Sequence, residues 1–313
     1  MKIYHNLEDF NRLTNAVVTS GTFDGVHMGH QKILHRLKEI ASKTNGETVV
    51  ITFWPHPQMV LHPENHLLKL LNTFEEKAAL LRAEGIQHLL RIEFTREFSL
   101  ISSMDFIQNI LVKTIGTKKL VIGYDHRFGH NREGSFEQLK VNAPSYGFDV
   151  EEISRQDVDH ISVSSSKIRQ ALEMADIETA THLLGKPYSL SGQVVKGDQL
   201  GRQWGYPTAN IEVDSRVKLI PFDGIYAVSV KYENQLYKGM LYIGPRPTLN
   251  GTERVIEVNI FNFNRDIYGD SLSIYFHRYL RGDKKFDDID SLKRQLHQDK
   301  IDANRILETI TFA

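Results

Sequence analysis

The feature that most constrains the fold is a change in the period of apolar residues near the middle of the chain. In residues 1–184, short apolar runs alternate with segments whose apolar residues recur about every 3.6 positions, a pattern typical of strands alternating with helices. Such alternation predicts a parallel, doubly wound sheet, so we expect an α/β domain in this half. The predicted strands are 16–20, 47–53, 88–94, 119–123 and 149–153.

In residues 185–313 the apolar residues alternate with period two. The run 225–232, IYAVSVKY, places tyrosine or valine at every second position. Similar runs at 236–243, 254–261 and 271–277 follow, with turn residues between them. Short strands at this spacing predict an antiparallel barrel or sandwich. The tail that begins at Asp288 has a helical pattern, so we expect a terminal helix.

The two patterns meet near HLLGKPYSLSG, where Gly185 and Pro187 interrupt the last helical segment of the first half. A length of 313 residues also exceeds the usual size of a single domain. We therefore expect two domains, residues 1–184 and residues 185–313.

Composition and charge exclude several classes of protein. A net charge of −1, from 38 Lys and Arg against 39 Asp and Glu, gives no basic surface that favours nucleic acid or an anionic membrane. The chain has no cysteine, so disulfides and thiolate metal sites are excluded. The polar beginning, MKIYHNLEDFNRL, and the lack of a membrane-length apolar run indicate a cytoplasmic protein with no nucleic-acid or membrane partner.

The stretch GTFDGVHMGH, residues 21–30, joins the first predicted strand of the sheet to a helix. Its glycines allow a tight turn and close approach of a ligand to the backbone. The start of the helix offers free N–H groups to an anion, and His27 and His30 can donate to phosphate oxygens. A plain strand-to-helix turn is the alternative interpretation of the glycines. Zinc binding is less favoured because no third ligand cluster accompanies the two histidines.

The same stretch resembles the G-x-F-D-G-x-H-x-G-H signature of prokaryotic bifunctional riboflavin kinase/FMN adenylyltransferases, also called FAD synthetases. Further motifs similar to those of this family follow in order and cover nearly the whole chain: TFWPHP (52–57), VIGYDHRFGHNREG (121–134), VSSSKIR (163–169), GRQWGYPTANI (201–211), GPRPTLNG (244–251), VIEVNIFNF (255–263), DIYG (266–269) and LRGDKKF (280–286). The resemblance implies a nucleotidylyltransferase-like Rossmann fold followed by a riboflavin kinase-like β-barrel.

The resemblance also implies two reactions, phosphorylation of riboflavin to FMN and adenylylation of FMN to FAD with release of pyrophosphate, each with ATP. Two alternatives remain open at this point. One is an FMN adenylyltransferase whose barrel serves binding or assembly. The other is a flavin- or nucleotide-binding regulator without activity, which would have no need of both charge-neutralising and basic groups. The oligomeric state is left between a monomer and a weak homo-oligomer.

Adenylyl transfer needs hydrogen-bond donors and cations rather than a base, because the attacking phosphate oxygen of FMN is already ionised. The resemblance implies that the catalytic groups are His27, His30 and Arg169. The predicted phosphate-binding residues are Gly21, Phe23, Gly29, Ser164 and Ser165, and the predicted flavin-binding residues are Pro57, Asp125 and Arg127. For the two serines, a plain helix N-cap is the competing interpretation.

Phosphorylation of riboflavin needs a base for the terminal alcohol, and a carboxylate on a strand can fill that role. The resemblance selects Glu257, whose alternative interpretation is a solvent-facing residue of an alternating strand. Thr208 and Asn210 supply oxygen ligands suited to Mg²⁺, with a turn-forming role as the rival interpretation. Gly201 and Arg202 are the predicted nucleotide-binding residues of this half.

The chain departs from the family pattern at two positions near the predicted sites. His126 stands where the family has phenylalanine, in the loop expected to line the flavin side of the transferase site. Asn259 stands where the family has histidine, two residues after the predicted base. These departures bear on flavin affinity and on the geometry of the kinase site, respectively.

Overall fold

The computed structural model describes residues 1–64, 68–124, 126–153, 163–197, 200–213, 215–248 and 251–310. The chain divides into two compact units, Met1–Ser165 and Ser166–Ala313. Each unit has the architecture that its sequence pattern predicts.

The first unit contains a parallel sheet whose strands are ordered β1-β4-β3-β2-β5-β6. All of its strand pairs are parallel, which confirms the predicted doubly wound arrangement. The predicted set lacked β1, because three residues are too few to show a period. The strands are β1 Lys2–Tyr4, β2 Ala16–Ser20, β3 Glu47–Trp54, β4 His88–Glu93, β5 Thr117–Gly123 and β6 Asp149–Ile153.

Alternate strand residues of this sheet pack into two separate apolar cores. Val17, Val50 and Val121 lie in one core together with Leu34 of the first helix, Met28–Thr44. Val18, Ile51 and Ile122 lie in the other, together with residues of the π-helix Phe106–Ile115. Helices therefore cover both faces of the sheet. The other helices are α2 Pro57–Leu61, α3 Phe74–Ala83, α4 Arg96–Ser99, α5 Ser103–Asp105 and α6 Phe136–Asn142, with 3-10 turns at His130–Arg132 and Ala143–Tyr146; Met28–Thr44 is α1.

Polar side chains cap helices of this unit. Thr73 and Glu76 form a capping box at the start of α3. The N-cap of α1 is His27, whose side chain accepts from the backbone of His30. The start of α1, where phosphate binding is predicted, thus lies at the carboxyl end of β2.

The second unit contains a closed barrel of antiparallel strands in the order β10-β11-β8-β7-β12-β9. This confirms the barrel. The predicted runs correspond to β9–β12, whereas β7 and β8 were not predicted. Strand β8 has only four residues, and the apolar pattern of β7 is interrupted by serine and glycine. The strands are β7 Tyr188–Val195, β8 Ala209–Glu212, β9 Gly224–Tyr232, β10 Gln235–Thr248, β11 Gly251–Ile260 and β12 Ser271–Arg281.

The predicted terminal helix covers part of the outer face of the barrel. It spans Ile289–Glu308, and its Ala303 and Leu307 pack against Ala227, Met240 and Phe261. This contact explains why β9 is buried on both faces over most of its length. Where the helix covers β9, residues on the two faces of the strand therefore do not differ in burial.

Two helices that precede the barrel in the chain, α7 Ser165–Glu173 and α8 Ile177–Leu184, pack mainly with the second unit. The backbone N–H of Phe222 donates to the carbonyl of Leu172 at 3.0 Å, and Glu178 forms an ion pair with Arg278. Helix α8 ends at Gly185, which has a φ of 72°. The predicted domain boundary between residues 184 and 185 stays a prediction, which expression of the separate parts would test. The remaining described helices are α9 Leu200–Gln203 and α10 Ile289–Glu308.

Candidate active sites

The turn between β2 and α1 has an unusual backbone. Phe23 and Val26 have φ values of 49° and 42°, and Gly25 between them has a φ of 87°. A positive φ is a genuine outlier for a β-branched residue, and such strain persists only where the surrounding structure enforces it. Both Phe23 and Val26 are buried in the apolar core, which supplies that enforcement.

The buried carboxylate of Asp24 holds this turn in place through hydrogen bonds with backbone groups. It is 2% exposed and accepts hydrogen bonds from the backbone N–H groups of Leu71, at 3.0 Å, and Asn72, at 3.2 Å. The carbonyl of Asp24 accepts a hydrogen bond from the hydroxyl of Ser165 at 2.9 Å. The structure therefore brings the predicted phosphate-binding turn next to the predicted serine. Sequence reasoning missed this role of Asp24, because its partners are backbone groups far away in the chain.

The two predicted histidines lie side by side at the start of α1. Their rings stack with centroids 3.6 Å apart, and the ring of Phe23 lies 5.0 Å from that of His30. A Cβ on Gly29 would lie 3.0 Å from Val163 and 3.3 Å from the ring of His27. A side chain at position 29 would therefore displace the histidine ring.

The remaining predicted residues of this site lie at the end of β2 and at the start of α7. The backbone N–H of Gly21 donates to the carbonyl of Ile51 at 3.0 Å, which continues the β2–β3 pairing to the start of the turn. Ser164 is exposed and directly precedes α7, and Arg169 lies about one turn beyond Ser165 on that helix.

A buried lysine, which the sequence did not single out, lies below the same turn. Lys77 is 2% exposed, and its Nζ donates to Thr52 Oγ1 at 3.3 Å. The hydroxyl of Thr52 in turn donates to the carbonyl of Thr22 at 3.2 Å. Burial lowers the pKa of Lys77 to about 8, and the nearby Asp24 opposes this shift. The chain of hydrogen bonds connects a buried cation to the backbone of the turn.

The predicted flavin-binding residues follow the carboxyl ends of β3 and β5, the two strands that flank β2 in the sheet. Pro57 is the first residue of α2, three residues after β3, and Arg127 is exposed in the loop after β5. Asp125 lies outside the described residues. The histidine at the departure from the family pattern, His126, is hydrogen-bonded through Nε2 to Ser20 Oγ at 3.2 Å. This bond joins the ends of β2 and β5, where the strand order reverses and ligands bind in open α/β sheets.

Three phenylalanines near the ends of β3 and β4 form a half-buried aromatic group. Phe53 lies 5.9 Å from both Phe94 and Phe98, measured between ring centroids, and Phe94 lies 5.7 Å from Phe98. In sequence these residues were indistinguishable from core positions. Only the fold places them at the same sheet edge as the phosphate-binding turn.

In the second unit, the structure brings Glu257, Thr208 and Asn210 together. The hydroxyl of Thr208 donates to Glu257 Oε2 at 3.2 Å, and Asn210 is paired with Glu257 across β8 and β11. Arg246 Nη1 lies 3.8 Å from Glu257 Oε1, a contact that sequence reasoning missed. The side chain of Glu257 is 23% exposed, so it is neither a free surface residue nor fully enclosed.

A hydrogen bond between two of its own backbone groups closes the loop that precedes β8. Tyr206 N–H donates to the carbonyl of Gly201 at 2.8 Å, and a Cβ on Gly201 would lie 2.4 Å from the carbonyl oxygen of Tyr206. Glycine is therefore required at position 201 for this loop geometry. Arg202 is exposed on the short helix α9.

On β10, Tyr242 is paired with Glu257, on the side opposite Asn210. Burial raises the pKa of the Tyr242 hydroxyl to about 12, with Asp283 as the next cause. The hydroxyl therefore stays protonated at neutral pH, where it can donate but cannot act as a base. Of the groups described around this site, Glu257 is the carboxylate that lies directly against the Thr208–Asn210 loop.

No cluster of three or more His, Cys, Asp or Glu side chains suited to a metal ion occurs in the described ranges. In the same part of the chain, no helix has both the length and the apolar character needed to cross a membrane.

Comparison with known proteins matches the two parts of the chain to two family models. The FAD synthetase family model matches residues 9–167, and the riboflavin kinase family model matches residues 184–307. Bifunctional riboflavin kinase/FMN adenylyltransferases from Buchnera aphidicola subsp. Schizaphis graminum and from Pseudomonas fluorescens are 38% and 36% identical to the chain. The alignments cover 94% of this chain in both cases, and 94% and 93% of the relatives.

A solved structure with a different description has the same fold. It is described as a macrolide-efflux protein from Streptococcus pneumoniae, is 31% identical, and superposes with a TM-score of 0.86 over 97% of this chain and 98% of that chain. The efflux description applies to the pneumococcal protein alone.

The chain combines an α/β unit, which carries two histidines at its β2–α1 turn, with a barrel in which a carboxylate lies beside a hydroxyl. Together with the two matching family models, this arrangement defines a two-site, ATP-dependent transferase. The chain belongs to the bifunctional riboflavin kinase/FMN adenylyltransferase family. The predicted kinase and nucleotidyltransferase modules are thereby confirmed, with ATP as the substrate common to both.

The buried lysine gives a pH-dependent prediction. The pKa of Lys77 is about 8 in the folded chain and 10.5 for an unperturbed lysine, so between these pH values the unfolded chain binds more protons. Stability contributed through this group therefore rises with pH across that window. Melting temperatures of the wild-type chain and Lys77→Met should be compared from pH 7 to pH 10. We expect the wild type to gain relative to the variant above pH 8; two parallel profiles would contradict the burial argument.

Proposed function

We propose that Glu257 is the base of the riboflavin kinase reaction and that His27 and His30 stabilise the triphosphate in the FMN adenylyltransferase reaction. The observation that carries the kinase assignment is the placement of Glu257 against both Thr208 and Asn210. A carboxylate beside a hydroxyl and an amide combines a proton acceptor with oxygen ligands in one place.

Glu257 would accept the proton of the terminal riboflavin alcohol as the alcohol attacks the γ-phosphate of ATP, the bond from the γ-phosphorus to the β–γ bridging oxygen breaks and ADP leaves. The hydrogen bond from Thr208 and the nearby guanidinium of Arg246 orient the two carboxylate oxygens. Orientation matters here because the base must reach the alcohol proton at hydrogen-bond distance in the reacting geometry. Arg246 also places a positive charge where phosphate oxygens develop negative charge.

The donor set at this loop fits Mg²⁺. Thr208 and Asn210 offer a hydroxyl and an amide oxygen, and Mg²⁺ prefers such hard oxygen ligands together with waters and substrate phosphates. Because the hydroxyl hydrogen of Thr208 is directed to Glu257, the hydroxyl lone pairs remain available to a cation. When bound, the ion would neutralise charge on the phosphates of ATP. Gly201 and Arg202 would contact the nucleotide from the preceding loop.

In the first unit, adenylyl transfer is supported by donors at the start of α1. The phosphate oxygen of FMN attacks the α-phosphate of ATP, and pyrophosphate leaves with additional negative charge. His27 and His30 would donate to this leaving group, together with the backbone N–H groups at the start of the helix. Ser164, Ser165 and Arg169 would add donors and a positive charge, while Gly21, Phe23 and Gly29 would shape the turn around the phosphates.

The flavin would bind at the edge formed by the ends of β3, β4 and β5. Pro57, Asp125 and Arg127 are its proposed contacts, and the group formed by Phe53, Phe94 and Phe98 offers aromatic surface at the same edge. Aromatic surface of this kind suits the planar ring system of a flavin. The cytoplasmic location, the absence of a nucleic-acid partner and the choice between a monomer and a weak homo-oligomer stay predictions.

The metal requirement can be tested directly. We expect chelation of divalent cations to abolish formation of FMN from riboflavin, and added Mg²⁺ to restore it. Elemental analysis of protein purified without added metal should show no stoichiometric zinc. Bound zinc at one equivalent would contradict the proposal and would make His27 and His30 candidate ligands.

Two variants should separate the reactions. His30→Ala removes one donor to the triphosphate, so FAD formation from supplied FMN should slow by about 10²–10³-fold, by analogy with single oxyanion donors. Phosphorylation of riboflavin should be nearly unchanged. Glu257→Gln keeps the shape of the side chain but cannot accept the proton, so riboflavin phosphorylation should slow by about 10²–10⁴-fold.

Mixing the two variants supplies the internal control. FMN made by His30→Ala can diffuse to Glu257→Gln, so the mixture should form FAD from riboflavin although neither variant alone does so efficiently. Product chromatography distinguishes the three flavins. If Glu257→Gln phosphorylates riboflavin at the wild-type rate, then Glu257 is not the base.

A further inference from the structure

A buried amide in the barrel has no part in the chemistry described so far. Asn259 lies on β11, two residues after Glu257, and is 6% exposed. Its Nδ2 donates to the carbonyl oxygen of Pro207 at 2.6 Å. A buried amide is costly unless it is hydrogen-bonded, so the contact with Pro207 is a specific one.

The position of this bond relates it to the pairing of β8 with β11. Backbone pairing joins Asn210 to Glu257 and Ala209 to Val258. By continuation of this register, Asn259 lies opposite Thr208, and the structure records no backbone pair for these two residues. The hydrogen bond of the Asn259 side chain therefore joins β11 to the loop just beyond the backbone pairs of β8 and β11. It holds the loop by the carbonyl that directly precedes Thr208.

The opposite side of the same loop is held by the terminal helix. Tyr206 packs in the apolar cluster that contains Ala303 and Leu307 of α10, and its hydroxyl lies 3.4 Å from His297 Nδ1. Residues 206 and 207 are thus fixed between the helix and the barrel wall. The loop residue that follows them, Thr208, bonds to Glu257.

We propose that Asn259 is a positioning residue for the metal–nucleotide site of the kinase. It acts through the Pro207 carbonyl, which sets the position of the Thr208 and Asn210 oxygens relative to Glu257. The inference rests on the proposed kinase function of this site. Asn259 contacts the loop backbone rather than any group that reacts.

The test compares donor-deficient and donor-retaining side chains at position 259. Asn259→Leu fills similar space without a donor, and the loss of one buried hydrogen bond corresponds to about a threefold to tenfold weaker equilibrium. We expect the Mg²⁺ concentration for half-maximal riboflavin phosphorylation, and the KM for ATP, to rise by about that factor. The KM for riboflavin and the rate of FMN adenylylation should stay within about twofold of the wild type.

Two further variants separate positioning from general stability. Asn259→His retains a ring N–H donor, so the Mg²⁺ requirement should return close to that of the wild type. Ser229→Ala removes the 2.8 Å contact of Ser229 with His277, on β9 and β12 of the same barrel. This control should lower the melting temperature without changing the Mg²⁺ requirement.

The possible outcomes are distinguishable. If Asn259→Leu melts lower than the wild type but has the same half-maximal Mg²⁺ concentration, Asn259 is only structural and the inference is overturned. Equal shifts in the leucine and histidine variants would overturn it as well. If Asn259→Leu does not fold, the smaller Asn259→Ala, which is neutral and also lacks the donor, carries the same expectation. Wild-type protein that fails to phosphorylate riboflavin would instead refute the proposed function.

Discussion

The interaction on which both sites depend is a hydrogen bond between a buried polar side chain and the backbone of a loop. In the first unit, Asp24 accepts two backbone N–H groups and holds the strained turn before α1. In the second, Asn259 donates to the Pro207 carbonyl. Phosphate binding uses backbone and side-chain groups at fixed distances, so a loop that moved by an ångström would lose several contacts together. Buried polar anchors supply that rigidity where the apolar core cannot reach.

The two units differ in the chemistry that their residues suit. The turn of the first unit presents histidines, a serine and a helix start, which are groups that can donate hydrogen bonds to a phosphate. The barrel presents a partly exposed carboxylate that accepts a hydrogen bond from Thr208. This difference suits the substrates of the two proposed reactions, because a phosphate nucleophile is already ionised and an alcohol is not. In the proposed mechanism, one site therefore works without a base and the other uses Glu257 as its base.

The elements with strong periodicity could be predicted from the sequence, and short motifs indicated the candidate site residues. The four long barrel strands, the capping box at Thr73 and the facing positions of Glu257 and Asn259 all follow from local spacing. The Lys77–Thr52 bond, the bonds from the Asp24 carboxylate and the Asn259–Pro207 bond could not be predicted, because each joins residues between 25 and 52 positions apart in the chain. Their partners are backbone or hydroxyl groups, which leave no pattern in sequence.

The presence of both activities in one chain is tested most directly by chromatography of the products that the wild-type chain forms from riboflavin, ATP and Mg²⁺. FMN should accumulate first and FAD should follow, since one site makes the substrate of the other. Replacing riboflavin by FMN should remove the delay before FAD appears. Unchanged riboflavin, in a sample that still converts supplied FMN to FAD, would contradict the assignment of a working kinase to the barrel.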